Sequence, residues 1–454
     1  MMDTKFLCGF GRREITPPLG TPLVGYYKPR FSKGVIDPLF ARAVVFQRGD
    51  VKSAILAVDL CLLSLGICDE LRKKVSQALD IPEDAILINI SHTHTGPLTG
   101  KDFGSDVEIA PEYMDFLKQQ ILAAAEEASK DLAPAKLFYA KTKAEGISFI
   151  RRFRLKDGSV KTNPNRKRDA IDYPLGEPNE DVRLLKVCRE GADDVYIIHF
   201  GTHPDTVSGD YVSADWPGYV CSILEAAIPG SKAMFLLGPQ GDVNHTNFRC
   251  TKNYVGCDEY GRFHTIEGKV ATHARYMGRV IAGNVLSVCD KAAEIAGEDI
   301  SFGAQKVIFP VNKVETTEEM IAEAKKTLAI YDEWAANPGD RPRPVTVKNV
   351  LAARKVIASP SLPDYDTYSV YAMKLGEFVI SALPGEPFTD IGNRIYAGAG
   401  VEKMMVLCQT NCSCGYIPVS SAFNDGGYEA NSSRFAMGTD DVLVNGALDV
   451  LKKL

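Results

Sequence analysis

The chain has 454 residues, 45% of them apolar, and a formal net charge of −6. Because domains usually hold roughly 100 to 200 residues, this length supports one large core or two to three ordinary ones. The mildly negative charge provides no basic stripe for nucleic acid and no polybasic patch for lipid headgroups, so we expect no nucleic-acid partner.

Neither the hydropathy nor the cysteine usage indicates export. No apolar run reaches the roughly 18 residues of a membrane-spanning helix, and the first residues lack the apolar core of a signal peptide. We therefore expect a cytoplasmic protein without a transmembrane segment. The eleven cysteines are scattered singly except for Cys412 and Cys414, which favours reduced, buried thiols. A zinc site of this pair with Cys250 and Cys257 is an alternative, although it lacks C-x2-C spacing.

The predicted elements alternate between apolar strands and helices. Strands over residues 42–47 and 52–58 flank Arg48-Gly49-Asp50 and predict a hairpin. Apolar positions at helical spacing, together with start signals, predict a set of helices. These cover residues 66–79, 111–130, 268–293, 316–336, 346–357 and 440–451. The alternation favours an α/β fold with a mixed-sheet core flanked by helices.

Two segments differ from this pattern. Residues 147–174 are rich in arginine and lysine and predict a basic excursion, whose simplest interpretation is a solvated hairpin. Arg151 and Arg152 directly follow an apolar run, however, so at least one of them can point inward. Residues 316–362 are charged and helical, and they predict a helical insertion.

Five apolar runs end in polar residues next to glycine or proline. The first, residues 85–90, is followed by His92 and His94. Because residues two apart in an extended chain point to the same side, we expect both imidazoles to face one cavity. The alternative is a pair of histidines that form hydrogen bonds at a strand end.

The second and third runs have similar ends. After residues 195–200, His203 lies just past the predicted strand and is the better ligand, whereas His199 lies within the strand and is predicted to be a core residue. After residues 233–237, two glycines let the backbone approach a ligand closely before Asn244. A plain turn is the alternative interpretation there.

The last two runs add a carboxylate and two phenols. Glu386 follows residues 377–383 and is either a helix-start carboxylate or a ligand. Residues 403–408 lead to Tyr416 and Tyr428. Such strand ends are typical of an α/β sheet whose ligand site lies outside the carboxyl ends of the strands. Two histidines and a glutamate are a usual catalytic zinc set, which activates water and polarises a carbonyl for amide or ester hydrolysis.

The motifs resemble, in order and approximate spacing, those of the neutral/alkaline ceramidase family. They are Ile15-Thr16-Pro17-Pro18-Leu19-Gly20, His92-Thr93-His94-Thr95-Gly96-Pro97, Thr202-His203-Pro204, Gly241-Asp242-Val243, Pro384-Gly385-Glu386, and Gly415-Tyr416 with Tyr428-Glu429. The resemblance implies one ceramidase-like catalytic domain over residues 1–454.

The same resemblance implies roles for seven residues. It matches the Zn²⁺ ligands to His92, His203, Glu386 and Tyr416. It matches His94 to a histidine beside the metal, Arg151 to an arginine that contacts the reacting group, and Tyr428 to a tyrosine near the oxyanion.

Two departures from the family bear on function. Ceramidases carry a serine, sometimes assigned as the nucleophile, where this chain has Asn244, so attack by metal-activated water is the better mechanism. The chain also ends near the close of the catalytic region, and we expect no additional C-terminal β domain and no secretion signal. The substrate therefore need not be ceramide.

The sequence thus predicts a zinc-dependent hydrolase that cleaves the amide (N-acyl) bond of a small molecule. The alternatives are a metal-dependent esterase or other hydrolase at the same site, and a metal- or ligand-binding homologue without turnover.

Overall fold

The computed structural model describes residues 5–26, 29–100, 107–165, 167–248, 250, 258, 262, 271–337 and 342–454. Its strands are β1 (Phe6–Glu14), β2 (Pro22–Leu23), β3 (Arg30–Phe31), β4 (Gly34–Val35), β5 (Phe40–Arg48), β6 (Val51–Val58), β7 (Ile86–Ile90), β8 (Ala133–Lys143), β9 (Phe149–Ile150), β10 (Arg152–Leu155), β11 (Val160–Thr162), β12 (Ile171–Pro174), β13 (Asp181–Arg189), β14 (Asp194–Phe200), β15 (Tyr211–Val212), β16 (Ser231–Leu237), β17 (Val243–Asn244), β18 (Ala293–Glu294), β19 (Ile300–Pro310), β20 (Tyr365–Leu375), β21 (Phe378–Ala382), β22 (Glu386–Pro387), β23 (Met404–Leu407) and β24 (Tyr416–Ile417).

The helices of the described ranges are α1 (Leu65–Leu79), α2 (Pro111–Lys130), α3 (Asp215–Ala227), α4 (Thr272–Val288), α5 (Glu318–Ala336), α6 (Val347–Ala358), α7 (Thr389–Ala399), α8 (Ser420–Asp425), α9 (Tyr428–Ser432) and α10 (Thr439–Leu451). The predicted helix over 268–293 is shorter than expected at its end, where α4 gives way to a 3-10 turn over Cys289–Lys291. Residues 268–270 of that prediction lie outside the described residues. None of the described helices is long and apolar enough to span a bilayer.

Two sheets form the centre of the described structure. The larger has the strand order β16-β14-β13-β8-β1-β5-β6-β7, with β18 beside β8, and the smaller has the order β19-β20-β21-β23. Parallel pairing between β6 and β7, β14 and β16, and β21 and β23 makes both sheets mixed. The predicted mixed-sheet core flanked by helices is confirmed. The sequence did not predict that the strands divide between two sheets.

Each sheet buries one face against the other and its second face against helices. The strands of both sheets contribute to one apolar cluster, which includes Phe46, Ile197, Met373 and Phe378. On the outer faces, α1 and α2 cover one half of the large sheet, α3 and α4 cover the other half, and α7 and α10 cover the small sheet. Because both faces are buried, β7 is buried at every position and apolar at all of them except Asn89.

The predicted insertion contains α5 and α6, which pack on each other around Tyr331, Trp334 and Val350. The side chains of Thr317 and Thr346 accept hydrogen bonds from the first turns of these helices, as N-cap residues do. The predicted basic excursion forms a small sheet with the strand order β11-β10-β12.

A buried amide connects the two edge strands of the large sheet. The Asn89 side chain at the end of β7 accepts a hydrogen bond from the backbone N of Leu237 in β16, at 2.8 Å. Its Nδ2 donates to the carbonyl oxygen of Cys408, which follows β23 of the small sheet, at 2.6 Å. The large sheet is therefore curled, and the carboxyl ends of β7, β16 and β23 meet at one place.

Candidate metal centre

Three predicted ligands converge where these strands end. His92 follows β7, His203 follows β14, and Glu386 follows β21 and begins β22. Oε2 of Glu386 lies 3.3 Å from Nε2 of His92 and 3.3 Å from Nε2 of His203. The three donor atoms lie within 4.8 Å of one another, and all three side chains are buried. The cluster has the size and the donor types of a metal site.

The backbone fixes which nitrogen of each imidazole is available. Nδ1 of His92 lies 2.6 Å from the carbonyl oxygen of Cys61. Nδ1 of His203 lies 2.9 Å from the carbonyl oxygen of Gln240 and 3.1 Å from that of Val243. Because a carbonyl oxygen only accepts, each Nδ1 carries the hydrogen, and in the neutral ring Nε2 keeps its lone pair. Both lone pairs belong to the atoms nearest Glu386, which fits a bound cation.

The route by which His92 and His94 meet differs from the prediction. Their Nε2 atoms lie 3.3 Å apart, but the chain is not extended there, since His92 has φ +63°. The prediction from alternating strand geometry was therefore wrong in its mechanism. The left-handed residue is held by a hydrogen bond from the backbone N of His92 to the carbonyl oxygen of Leu60, at 2.8 Å.

Glu386 is positioned through a two-residue parallel bridge between β22 and β24. In its register Glu386 pairs with Tyr416, which brings the Tyr416 hydroxyl to 3.4 Å from Nε2 of His203. Gly385 has φ +60°, and a Cβ there would lie 2.6 Å from Sγ of Cys414. Only glycine fits at this position.

The electrostatics of the cluster favour an ionised carboxylate. Burial acts to raise the pKa of Glu386, but His92 and His203 outweigh it, so this pKa lies well below its ordinary value. Burial and the neighbouring His92 hold the pKa of His94 well below its ordinary value. Burial raises the pKa of Tyr416 well above the ordinary value of a phenol.

The N-terminal family model of neutral/alkaline non-lysosomal ceramidases matches residues 6–275. The chain belongs to this ceramidase family. A crystal structure of neutral ceramidase from Pseudomonas aeruginosa superposes with a TM-score of 0.71 at 16% identity, covering 100% of this chain and 75% of the other. A structure described as ceramidase complexed with C2 gives a TM-score of 0.72 at 15% identity, over 99% and 75% of the two chains. Among curated proteins no match was found.

The family model and the structural neighbours support different statements, the first about the family and the second about the fold. The family model covers the segments that carry His92, Arg151 and His203, whereas Glu386 and Tyr416 lie beyond it. At 15–16% identity the structural neighbours establish the ceramidase fold over the whole chain. Family membership indicates a hydrolase, and the roles of individual residues stay predictions.

In this ceramidase-family chain, Arg151 is directed inward from the basic excursion. Its backbone N donates to the carbonyl oxygen of Asp242 at 3.0 Å, next to the bridge between β9 and β17. Its guanidinium lies 3.5 Å from Nε2 of His203 and donates from Nε to Glu429 at 2.7 Å. Arg151 and Arg152 are both buried, in line with the expectation that at least one of them points inward. The interpretation as a solvated hairpin holds for exposed residues such as Lys161.

Asn244, where the ceramidase family has serine, is also buried and hydrogen-bonded. Its Nδ2 donates to Oδ1 of Asn163 at 2.9 Å, and its Oδ1 accepts from the backbone N of Thr246 at 2.9 Å. Both ends of the amide are therefore engaged within the walls of the site. An amide has no hydroxyl or thiol to act as a nucleophile.

All seven predicted residues lie in one neighbourhood, since the ring of Tyr428 is 5.5 Å from that of Tyr416. His199 is a core residue that faces the carbonyl oxygen of Val406 at 2.8 Å, as predicted. The alternative cysteine site is not among the donor clusters of the described residues, and Cys257 lies outside them.

Sequence reasoning missed three supporting residues. Gln240 donates from Nε2 to Oε2 of Glu386 at 3.3 Å. Glu429 pairs with Arg151, and Asn89 connects the strand ends. Glu429 stands inside the Tyr428-Glu429 motif and Asn89 lies within the apolar run of residues 85–90, but nothing in their local sequence indicates which groups they pair with.

Proposed function

We propose that this protein is a zinc-dependent hydrolase that cleaves the amide bond of a small N-acyl compound with metal-activated water. The observation that carries the proposal is the group of His92 Nε2, His203 Nε2 and Glu386 Oε2, each with a supporting hydrogen bond. The Tyr416 oxygen would complete the set. When bound, zinc would lower the pKa of a water molecule and polarise the substrate carbonyl.

The remaining side chains supply the proton transfers and the charge. Nε2 of His94 lies 3.3 Å from Nε2 of His92, so its imidazole is placed to pass a proton between water and the leaving nitrogen. Burial acts to lower the pKa of Arg151, but Tyr416 and Glu429 outweigh it, so this pKa is raised and the guanidinium stays charged. A fixed positive charge beside His203 favours the oxyanion that develops on the carbonyl.

Asn244 supports direct attack by water. Its amide cannot form an acyl-enzyme, and its hydrogen bonds to Asn163 and Thr246 give it a positioning task instead. An esterase would use the same groups. Parallel assays on an amide and on the ester of the same acyl group separate the two activities.

The candidate ligands span positions 92 to 416, which supports one catalytic domain over residues 1–454 with an excursion at 147–174 and an insertion at 316–362. The small-molecule substrate and the cytoplasmic location stay predictions from the sequence.

The first experiment is elemental analysis before and after chelation, combined with an amide and ester hydrolysis screen. We expect about one zinc per chain and activity that chelation removes and zinc restores. His203→Ala and Glu386→Gln should lose both metal and activity, whereas Glu377→Gln, which changes an exposed glutamate paired with Lys403, should keep both. Full activity in His203→Ala would overturn the ligand assignment. Stoichiometric zinc without hydrolysis of any acyl compound would favour a binding protein.

A further inference from the structure

The short helix α9 brings Tyr428 to the edge of the candidate metal centre. Tyr428 is the first residue of α9, and its ring packs edge-on against that of Tyr416 with the ring centres 5.5 Å apart. α9 packs against β24, which carries Tyr416, and against β11 of the basic excursion. The position of the Tyr428 ring therefore depends on how this helix is held.

Two glycines stand directly before Tyr428. Gly426 has φ +73° and Gly427 has φ +100°, and glycine adopts such positive values without strain. Because glycine restricts its own backbone less than any other residue, these two do not fix the direction in which the chain enters α9. Contacts from other parts of the molecule must fix it.

The basic excursion supplies such contacts to the residues before Tyr428. Nη2 of Arg154 donates to Oδ1 of Asp425 at 2.5 Å. Nη2 of the buried Arg152 donates to the carbonyl oxygen of Gly426 at 2.7 Å. The chain that leads into α9 is therefore held from the excursion side.

The hydroxyl of Thr162, the last residue of β11, holds the start of α9 itself. It donates to Oε2 of Glu429 at 2.6 Å and accepts from the backbone N of Tyr428 at 3.2 Å. Since a carboxylate only accepts, the hydroxyl hydrogen points at Glu429 and a lone pair is left for Tyr428. Linked hydrogen bonds polarise one another, so the bond to the carboxylate strengthens the bond from Tyr428.

We propose that Thr162 is a positioning residue for the reaction, whose hydroxyl fixes the start of α9 and thereby holds the Tyr428 phenol beside the candidate metal centre. The inference rests on the proposed function and on the predicted place of Tyr428 near the oxyanion. Thr162 acts through Tyr428 and makes no bond to the substrate.

The test removes the hydroxyl and follows hydrolysis of two probes, an N-acylsphingosine and N-acetyl-4-nitroaniline, by the zinc-loaded protein. Thr162→Val keeps the shape of the side chain and should lower kcat by about 10- to 100-fold with little change in KM, since Tyr428 acts in the transition state and is displaced. Thr162→Ser keeps the hydroxyl and should restore kcat. The matched control is Thr142→Val in β8, which removes the hydroxyl of another half-buried threonine, bonded to Oδ1 of Asn284 at 3.3 Å, and should keep wild-type kcat.

A double-mutant cycle separates this route from the one through Glu429 and Arg151. If Thr162 acts through the phenol, Thr162→Val combined with Tyr428→Phe should be no slower than Tyr428→Phe alone. Losses that multiply in the double variant would overturn the inference and leave the proposed function intact. Wild-type kcat in Thr162→Val would do the same.

Amide hydrogen exchange provides a measurement that does not depend on turnover. The backbone N–H of Tyr428 should exchange about 10-fold faster in Thr162→Val than in wild type or in Thr162→Ser, because it loses its acceptor. Faster exchange in Thr162→Val, with neither probe hydrolysed by the wild type, would support the placement of α9 by Thr162 while the proposed function fails. Wild-type exchange in Thr162→Val would overturn the inference whether or not the probes are hydrolysed.

Discussion

The buried carboxylate of Glu429 is expected to hold Arg151 in the site, and Glu429→Gln tests this. Glu429 is 0% exposed and accepts from Nε of Arg151 at 2.7 Å and from the Thr162 hydroxyl at 2.6 Å. Its second oxygen lies 3.6 Å from Nε of the buried Arg152. One anion thus balances two buried cations.

The size of the effect follows from this burial. Removing one partner of a buried ion pair destabilises a protein by about 3–5 kcal/mol. Glutamine keeps an acceptor for Arg151, so we expect about 3 kcal/mol, the lower end of that range. An unfolding entropy of about 2.1 cal/mol/K per residue gives about 1 kcal/mol/K for the 454 residues. The loss of unfolding free energy divided by this entropy predicts that Tm falls by about 3 °C.

The assay is thermal unfolding together with hydrolysis and metal content. Glu429→Gln should keep its zinc, yet lose about 100-fold in kcat/KM, because Arg151, which we propose faces the oxyanion, is no longer fixed. The matched control is Asp366→Asn, which removes a carboxylate from a pair with Arg434, whose side chain is 40% exposed. Exposed pairs contribute about 0–1 kcal/mol, so Tm should change by about 1 °C or less. Wild-type Tm and activity in Glu429→Gln would refute the reasoning.

Three further predictions concern the ligands and the core. Gly385→Ala should weaken zinc binding, because a Cβ at this position would lie 2.6 Å from Sγ of Cys414. Gly400→Ala, at a residue with φ +62° and nothing within 4 Å of the added Cβ, should lose stability but keep its zinc affinity. Equal zinc affinity in the two variants would contradict this prediction. Gln240→Leu removes a hydrogen bond to Glu386 and should lower zinc affinity by about 10–100-fold in a chelator competition, and an unchanged affinity would argue against its role. Burial raises the pKa of Asp215 from 3.8 to about 6, so its contribution to stability is present below about pH 4 and is lost as pH rises through about 6. The Tm of Asp215→Asn relative to wild type should therefore rise between those pH values and level off above them, and a flat difference would contradict the assignment.

Local sequence was sufficient to predict several elements and the family. The hairpin of β5 and β6, the start of α5 at Thr317 and the core position of His199 each depend on a pattern within a few residues. The ligand candidates were found in the same way, since imidazole and carboxylate side chains stand where apolar strands end. Their order along the chain then gave the ceramidase resemblance, which the family match confirms.

The tertiary structure decided what brings those residues together. Periodicity predicts strands but not their partners, so the division into two sheets and the curl that Asn89 stabilises were not predictable from any window of sequence. The left-handed His92 depends on a hydrogen bond to Leu60, a carbonyl from another strand end. The burial of Glu429 against two arginines depends on packing between segments that are far apart in the sequence, since Glu429 and Arg151 are separated by 278 residues. Local sequence thus determined which chemical groups are available, whereas long-range hydrogen bonds and packing determined where they point.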